Sequence, residues 1–120
     1  MFTNEIIEQV WNHSLKEEGY DFNIVRKDAC GAWIIRNQYG NRDSIYGWEI
    51  DHIYPESLGG QDDIENLRAM QWENKVSKGD DYPSYKSKVQ AEGSKNTHKD
   101  GQFTINEKKQ EEIRNLYNIS

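Results

Sequence analysis

A single cysteine, Cys30, removes the two covalent devices that most often hold a small chain together. No internal disulfide can form, and no structural zinc site that needs two or more thiolates. The fold must come from packing, and packing groups are scarce. Over 120 residues the apolar fraction is 34% and the mean hydropathy −1.06. A domain of this length buries only about two-thirds of its unfolded surface. Large rings must therefore carry much of the core, and the chain has four Trp and seven Tyr. Trp33, Trp48 and Trp72 are the candidate core rings. The same rings argue against disorder. Residues 1–120 are read as one domain. No run approaches the ~18 apolar residues of a membrane span. The start Met-Phe-Thr-Asn-Glu lacks the basic and apolar regions of a secretory leader, so a cytoplasmic protein is expected.

Charge is unevenly spread. Residues 1–67 hold 5 Lys/Arg against 13 Asp/Glu, whereas residues 68–99 hold 7 against 4. The whole chain stands at −6 with a pI near 5.0, the wrong sign for a protein that binds nucleic acid over its whole surface. A local basic segment still suffices for phosphate contacts, because exposed charges farther than about 8–10 Å are largely screened at physiological salt.

Apolar spacing predicts a helix from Asn4 to about Glu18, with Ile6, Ile7, Val10, Trp11 and Leu15 on one face and Gly19 as its stop. At the other end Thr104 and Glu107 have capping-box spacing, ahead of a stripe of Ile113, Leu116 and Tyr117. Residues 22–27 and 32–36 read as short strands around a turn at Asp28 and Gly31, and residues 46–53 as a third strand stopped by Pro55. A loop over 55–62 carries the pair Gly59-Gly60. A helix is predicted from about Ile64, with Leu67, Met70, Gln71 and Asn74 on neighbouring faces. Residues 78–101 show no clear period and are read as irregular, with one helical turn near Tyr85–Val89.

The centre offers chemistry. Asp51 and His52 stand at a strand end, followed by the glycine loop and by carboxamides further on. A hard divalent cation takes oxygen ligands of the kind that Asp51 and an Asn supply. A histidine beside it can deprotonate water, because its pKa lies near working pH. Together these suffice for phosphodiester hydrolysis. Adjacent strand residues point to opposite faces, so the two side chains share a site only if the strand ends or bulges there.

The run Ile50-Asp51-His52-Ile53-Tyr54-Pro55, then Gly59-Gly60, Asp62-Asp63, Asn66-Leu67 and Asn74-Lys75-Val76-Ser77-Lys78, resembles the HNH endonucleases of the ββα-metal fold over about residues 26–80. The resemblance implies an α+β domain, a small ββα-metal core flanked by an N-terminal and a C-terminal helix. It implies Asp51 as a metal ligand, His52 as general base and Asn66 as the asparagine that braces the loop and orients the histidine. Nine residues after Asn66, where the family places its third motif residue (His or Asn), stands Lys75. Asn74 sits at eight and is the candidate second ligand. Many members also hold a structural zinc with two Cys pairs; here Gln71 and Asn74 occupy the places of the second pair.

The resulting expectation is a metal-dependent endonuclease acting on DNA, with RNA as the other substrate. Its cofactor would be Mg2+ or Mn2+, with Zn2+ or Ni2+ as further choices. Arg68, Lys75 and Lys78 are the candidate phosphate contacts, within the basic segment 68–99. The alternative is a catalytically degenerate HNH module that binds protein or nucleic acid without cleavage. Lys75 in the ligand position and the acidic body, which would suit a basic protein partner, motivate it.

Overall fold

The computed structural model describes residues 1–119, an α+β arrangement of three helices and three two-stranded antiparallel sheets. Helix α1 (Asn4–Asn12) begins at Thr3, whose hydroxyl accepts from Ile6 N at 3.2 Å. It stops well short of Glu18. The reason is Arg26, a buried residue whose guanidinium donates to Asn12 O at 2.9 Å and to Ser14 O at 3.4 Å. Those bonds satisfy carbonyls that a helix end leaves without partners. The chain then turns, and Leu15 pairs with Lys27 through two backbone hydrogen bonds. Leu15 is thus exposed and no part of an apolar helix face.

Strands β1 (Val25–Lys27) and β2 (Trp33–Ile35) form the expected hairpin, somewhat shorter than predicted. Asp28 shapes its turn by accepting from Cys30 N and Ala32 N, both at 2.9 Å. Strand β3 (Trp48–His52) pairs with β4 (Leu67–Gln71), setting Asp51 opposite Arg68 and His52 opposite Leu67. The helix predicted from Ile64 is therefore absent: Ile64–Asn66 is a single 3-10 turn, β4 follows, and α2 (Trp72–Lys78) begins only after it. Leu67 and Ala69 turn one way, into the core under α1, and Met70 turns the other way, so tertiary packing overrides the helical spacing.

The segment expected to be irregular is a long hairpin of β5 (Ser84–Glu92) and β6 (Lys95–Thr104), bulged between Ser87 and Val89. Helix α3 (Glu107–Tyr117) follows. Its cap is Asn106, which accepts from Lys109 N at 2.8 Å, and Thr104 remains in the strand.

Two apolar clusters lie on either side of β3–β4. One gathers Val10, Trp11, Ile34, Trp48, Ile50, Leu67 and Ala69; the other gathers Cys30, Ile53, Met70, Tyr85 and Ile105. Trp11 and Trp48 meet at 5.4 Å between ring centroids. Trp33 and Trp48 are buried as expected, and Trp11 is a further core ring. Trp72 is only half-buried, its indole N–H donating to Ser44 O at 2.9 Å.

A polar knot joins β1–β2, β4, α2 and β5. Asp28, buried, also accepts from Gln71 N at 2.9 Å and Asn74 Nδ2 at 3.1 Å. Hydrogen bonds thus link the region where the resemblance implies zinc-binding Cys pairs in other members. Burial raises the Asp28 carboxyl above its ordinary value, against the pull of those four donors. Among the described residues no helix is long and apolar enough to cross a membrane.

Candidate active site

His52 is the last residue of β3, and the chain beyond it loops out to return at Asn66. Asn66, fully buried, closes that loop: its Oδ1 accepts from Tyr54 N at 2.7 Å, and its Nδ2 donates to Tyr54 O and Gln61 O, each at 3.1 Å. Gly60 is required at the closure, since a Cβ there would stand 1.8 Å from Tyr54 O.

The closed loop delivers two carboxylates to the histidine. Asp62 Oδ1 lies 2.6 Å from His52 Nε2, and Glu56 Oε1 lies 3.7 Å from His52 Nδ1. The Phe2 ring packs near the imidazole, 5.9 Å between centroids. His52, Glu56 and Asp62 each present one ligand atom, and the three atoms lie within 4.8 Å of one another. Sequence reasoning did not connect Glu56 and Asp62 to His52; they come together only through the fold of the loop.

Asp51 follows strand alternation and turns to the other side. Its Oδ2 receives Arg68 Nε at 3.1 Å, and its Oδ1 lies 3.7 Å from Lys78 Nζ. Lys78 also donates to His52 O at 3.1 Å, fastening α2 to the end of β3. Burial lowers the pKa of Lys78, against the attraction of Asp51. For Arg68 burial acts downward too, but Asp51 and Tyr85 outweigh it and the pKa is raised. The guanidinium lies 5.0 Å from the centre of the Tyr85 ring.

Asp51 and His52 nonetheless border one cleft of about 240 Å3, together with Arg42, Glu56, Lys75 and Asp80. Arg42 and Lys75 meet at Glu49, the arginine through two hydrogen bonds of 2.7 and 2.9 Å and the lysine at 3.4 Å. The Arg42 bond, then Lys75, hold Glu49 below the ordinary carboxylate value despite its partial burial.

Asn74 is not at this cleft. Its Nδ2 donates to Asp28 Oδ2 and to Val89 O, and its Oδ1 accepts from Lys88 N and Val89 N, both at 2.8 Å. A carboxamide oxygen has two lone pairs, and both are taken. The expected ligand is instead a buried brace between α2 and β5. Of the predicted site residues, the cleft brings together Asp51, His52 and Lys75; Arg68 and Lys78 lie behind Asp51, and Asn66 braces the loop.

Residues 36–70 match the family model described as HNH endonuclease. The match runs from just after β2 through β3, the loop and all but the last residue of β4, and over this segment the chain is similar to the HNH family, a likeness to nuclease-type proteins. No curated protein and no solved structure matches the chain.

Proposed function

We propose that the chain is an endonuclease that hydrolyses phosphodiester bonds of DNA, with β3, β4 and α2 as its ββα core and His52 as general base. The observation that carries this reading is the 2.6 Å contact between His52 Nε2 and Asp62 at the mouth of a cleft that also holds Arg42 and Lys75. A carboxylate accepts only, so the ring donates its Nε2–H to Asp62 in a hydrogen bond and keeps the lone pair on Nδ1. Nδ1 then takes a proton from water as that water attacks phosphorus. Arg42 and Lys75 set two positive charges against the one negative charge of Glu49, and the surplus draws the phosphate into the cleft. Asn66 holds the loop so that Asp62 stays on the ring.

A divalent ion fits part of this donor set. Asp51 is neutralised by Arg68 and Lys78, and Asn74 has no free lone pair, so that pair of ligands does not suit one. Glu56 and Asp62, hard oxygen donors beside His52, would hold it. Bound there, the ion supplies positive charge to offset the charge that develops on the leaving oxygen. The test is plasmid nicking by the purified chain with Mg2+ or Mn2+ beside a His52→Ala control.

A second reading has its own observation. Lys75 occupies the third motif position and spends its ammonium group on Glu49. A module that binds nucleic acid or a basic protein without cutting has no use for a ligand there. Wild-type protein that leaves plasmid intact with every divalent ion would favour it.

A further inference from the structure

We propose that the solvent face of the β5–β6 ribbon docks in the major groove of duplex DNA and guides it to the His52 cleft; the inference rests on the nuclease reading for its purpose, though not for its test. The ribbon is a sheet of its own, paired with no other strand. One face, with Tyr85, Ser87 and Val89, is buried, and Asn74 of α2 bonds to Val89. The opposite face is polar along its length. Ser84 stands across from Thr104, Lys86 from Gln102, Gln90 from Thr97 and Glu92 from Lys95.

That face carries a net positive charge on an acidic chain. It brings Lys86, Lys88, Lys95 and Lys99 against Glu92 and Asp100. Lys86, Lys95 and Lys99 make no ion pair among the described residues. Lys88 meets Asp100 at 3.4 Å, but both side chains are more than half exposed and easily exchanged for a phosphate contact. Gln102, exposed, adds a carboxamide of the kind that reads an adenine edge.

Shape points to the same partner. A two-stranded ribbon fits the roughly 12 Å wide major groove of B-form DNA. The deep, narrow major groove of duplex RNA does not admit one. The bulge between Ser87 and Val89 increases local twist, which helps a ribbon follow a groove. Position completes the argument. Ser77 Oγ of α2 donates to Lys86 O at 2.7 Å. Val76, largely exposed, borders both the His52 cleft and a shallow hollow that Lys88 lines. DNA lying on the ribbon thus passes over α2 to the cleft.

The experiment measures binding, not cutting. In a His52→Ala background, fluorescence anisotropy follows a labelled DNA duplex and the RNA duplex of the same sequence across a salt series. Adding Lys86→Ala, Lys88→Ala and Lys99→Ala should weaken DNA binding on the order of tenfold or more and make the salt dependence shallower by about two to three contacts. Lys16→Ala with Lys108→Ala, exposed lysines outside the ribbon, should change nothing. Duplex RNA should bind far more weakly than DNA. Unchanged DNA affinity in the triple variant, with its melting temperature preserved, overturns the proposal, as does equal affinity for duplex RNA. Binding that depends on the ribbon in a chain whose wild type never cuts supports the proposal and refutes the nuclease reading.

Discussion

Replacing Asn74 with alanine separates a packing residue from a metal ligand. The amide satisfies both polar backbone groups of Val89, which is fully buried, and donates one of the four hydrogen bonds to the buried Asp28 carboxylate. In the variant Val89 N–H and C=O lose that partner together. At about 1–3 kcal/mol for each buried group left unpaired, the loss is about 2–6 kcal/mol. That is a large share of the roughly 5–15 kcal/mol that holds a typical domain folded. The Asp28 bond and the vacated volume add to the loss. Urea unfolding followed by tryptophan fluorescence in EDTA gives the difference directly. A ligand would show its effect only with metal present; a brace shows it without. A loss below about 1 kcal/mol in EDTA would refute the reasoning, because the buried groups would then have found other partners.

With divalent ion at saturation, Asp62→Ala should lower kcat by about 10–100-fold, the usual scale for losing an orienting partner, while Asp62→Asn, which keeps an oxygen for the Nε2 proton but gives up the charge that helps hold the ion, should retain most of the rate and need more ion to reach it. Equal losses in both variants would show that the orientation is not what Asp62 contributes. Asp28 ties stability to pH. Burial raises its folded-state pKa, so its contribution is fully present below the ordinary value of 3.8 and is lost as pH climbs through the raised value. The urea midpoint of the wild type should therefore fall relative to that of Asp28→Asn as pH rises from about 4 toward 7; a constant difference would contradict the shift. Burial, then the charge of Asp28, push the Cys30 thiol up to about 12. A thiol reagent at pH 8 should leave the folded protein untouched and label it once denatured, and stoichiometric labelling of the folded protein would refute this burial.

The β1–β2 hairpin and β3 were legible because Asp28, Gly31 and Pro55 punctuate apolar runs in a short span. The turn is local, so local sequence encodes it. Strand β4 was not. Leu67, Met70 and Gln71 have helical spacing, and only pairing with β3, seen from Asp51 opposite Arg68, makes a strand of them. The β5–β6 ribbon did leave a signal, the alternation of Tyr85, Ser87, Val89 and Ala91. It was masked because the outward positions are so polar that the segment reads as solvated chain. At the site, His52, Asp51 and Asn66 were named from motif spacing. Asp62 and Glu56 were not, since their approach to His52 depends on how Asn66 and Gly60 close the loop. Asn74 departs from the ligand role that motif spacing implies for a related reason: with α2 starting at Trp72, its amide turns inward to β5 while its neighbour Lys75 faces the cleft.

The central claim is that His52 removes a proton from water in a cleft built to cut phosphodiesters. Supercoiled plasmid incubated with the wild-type chain and Mg2+ or Mn2+, beside His52→Ala of equal melting temperature, tests it most directly. The account predicts nicking by the wild type that EDTA suppresses and that falls by about 10²–10⁴-fold in the variant, the range for a lost general base. Nicking that survives in His52→Ala, or a wild type that leaves the plasmid intact with every divalent ion supplied, would contradict it.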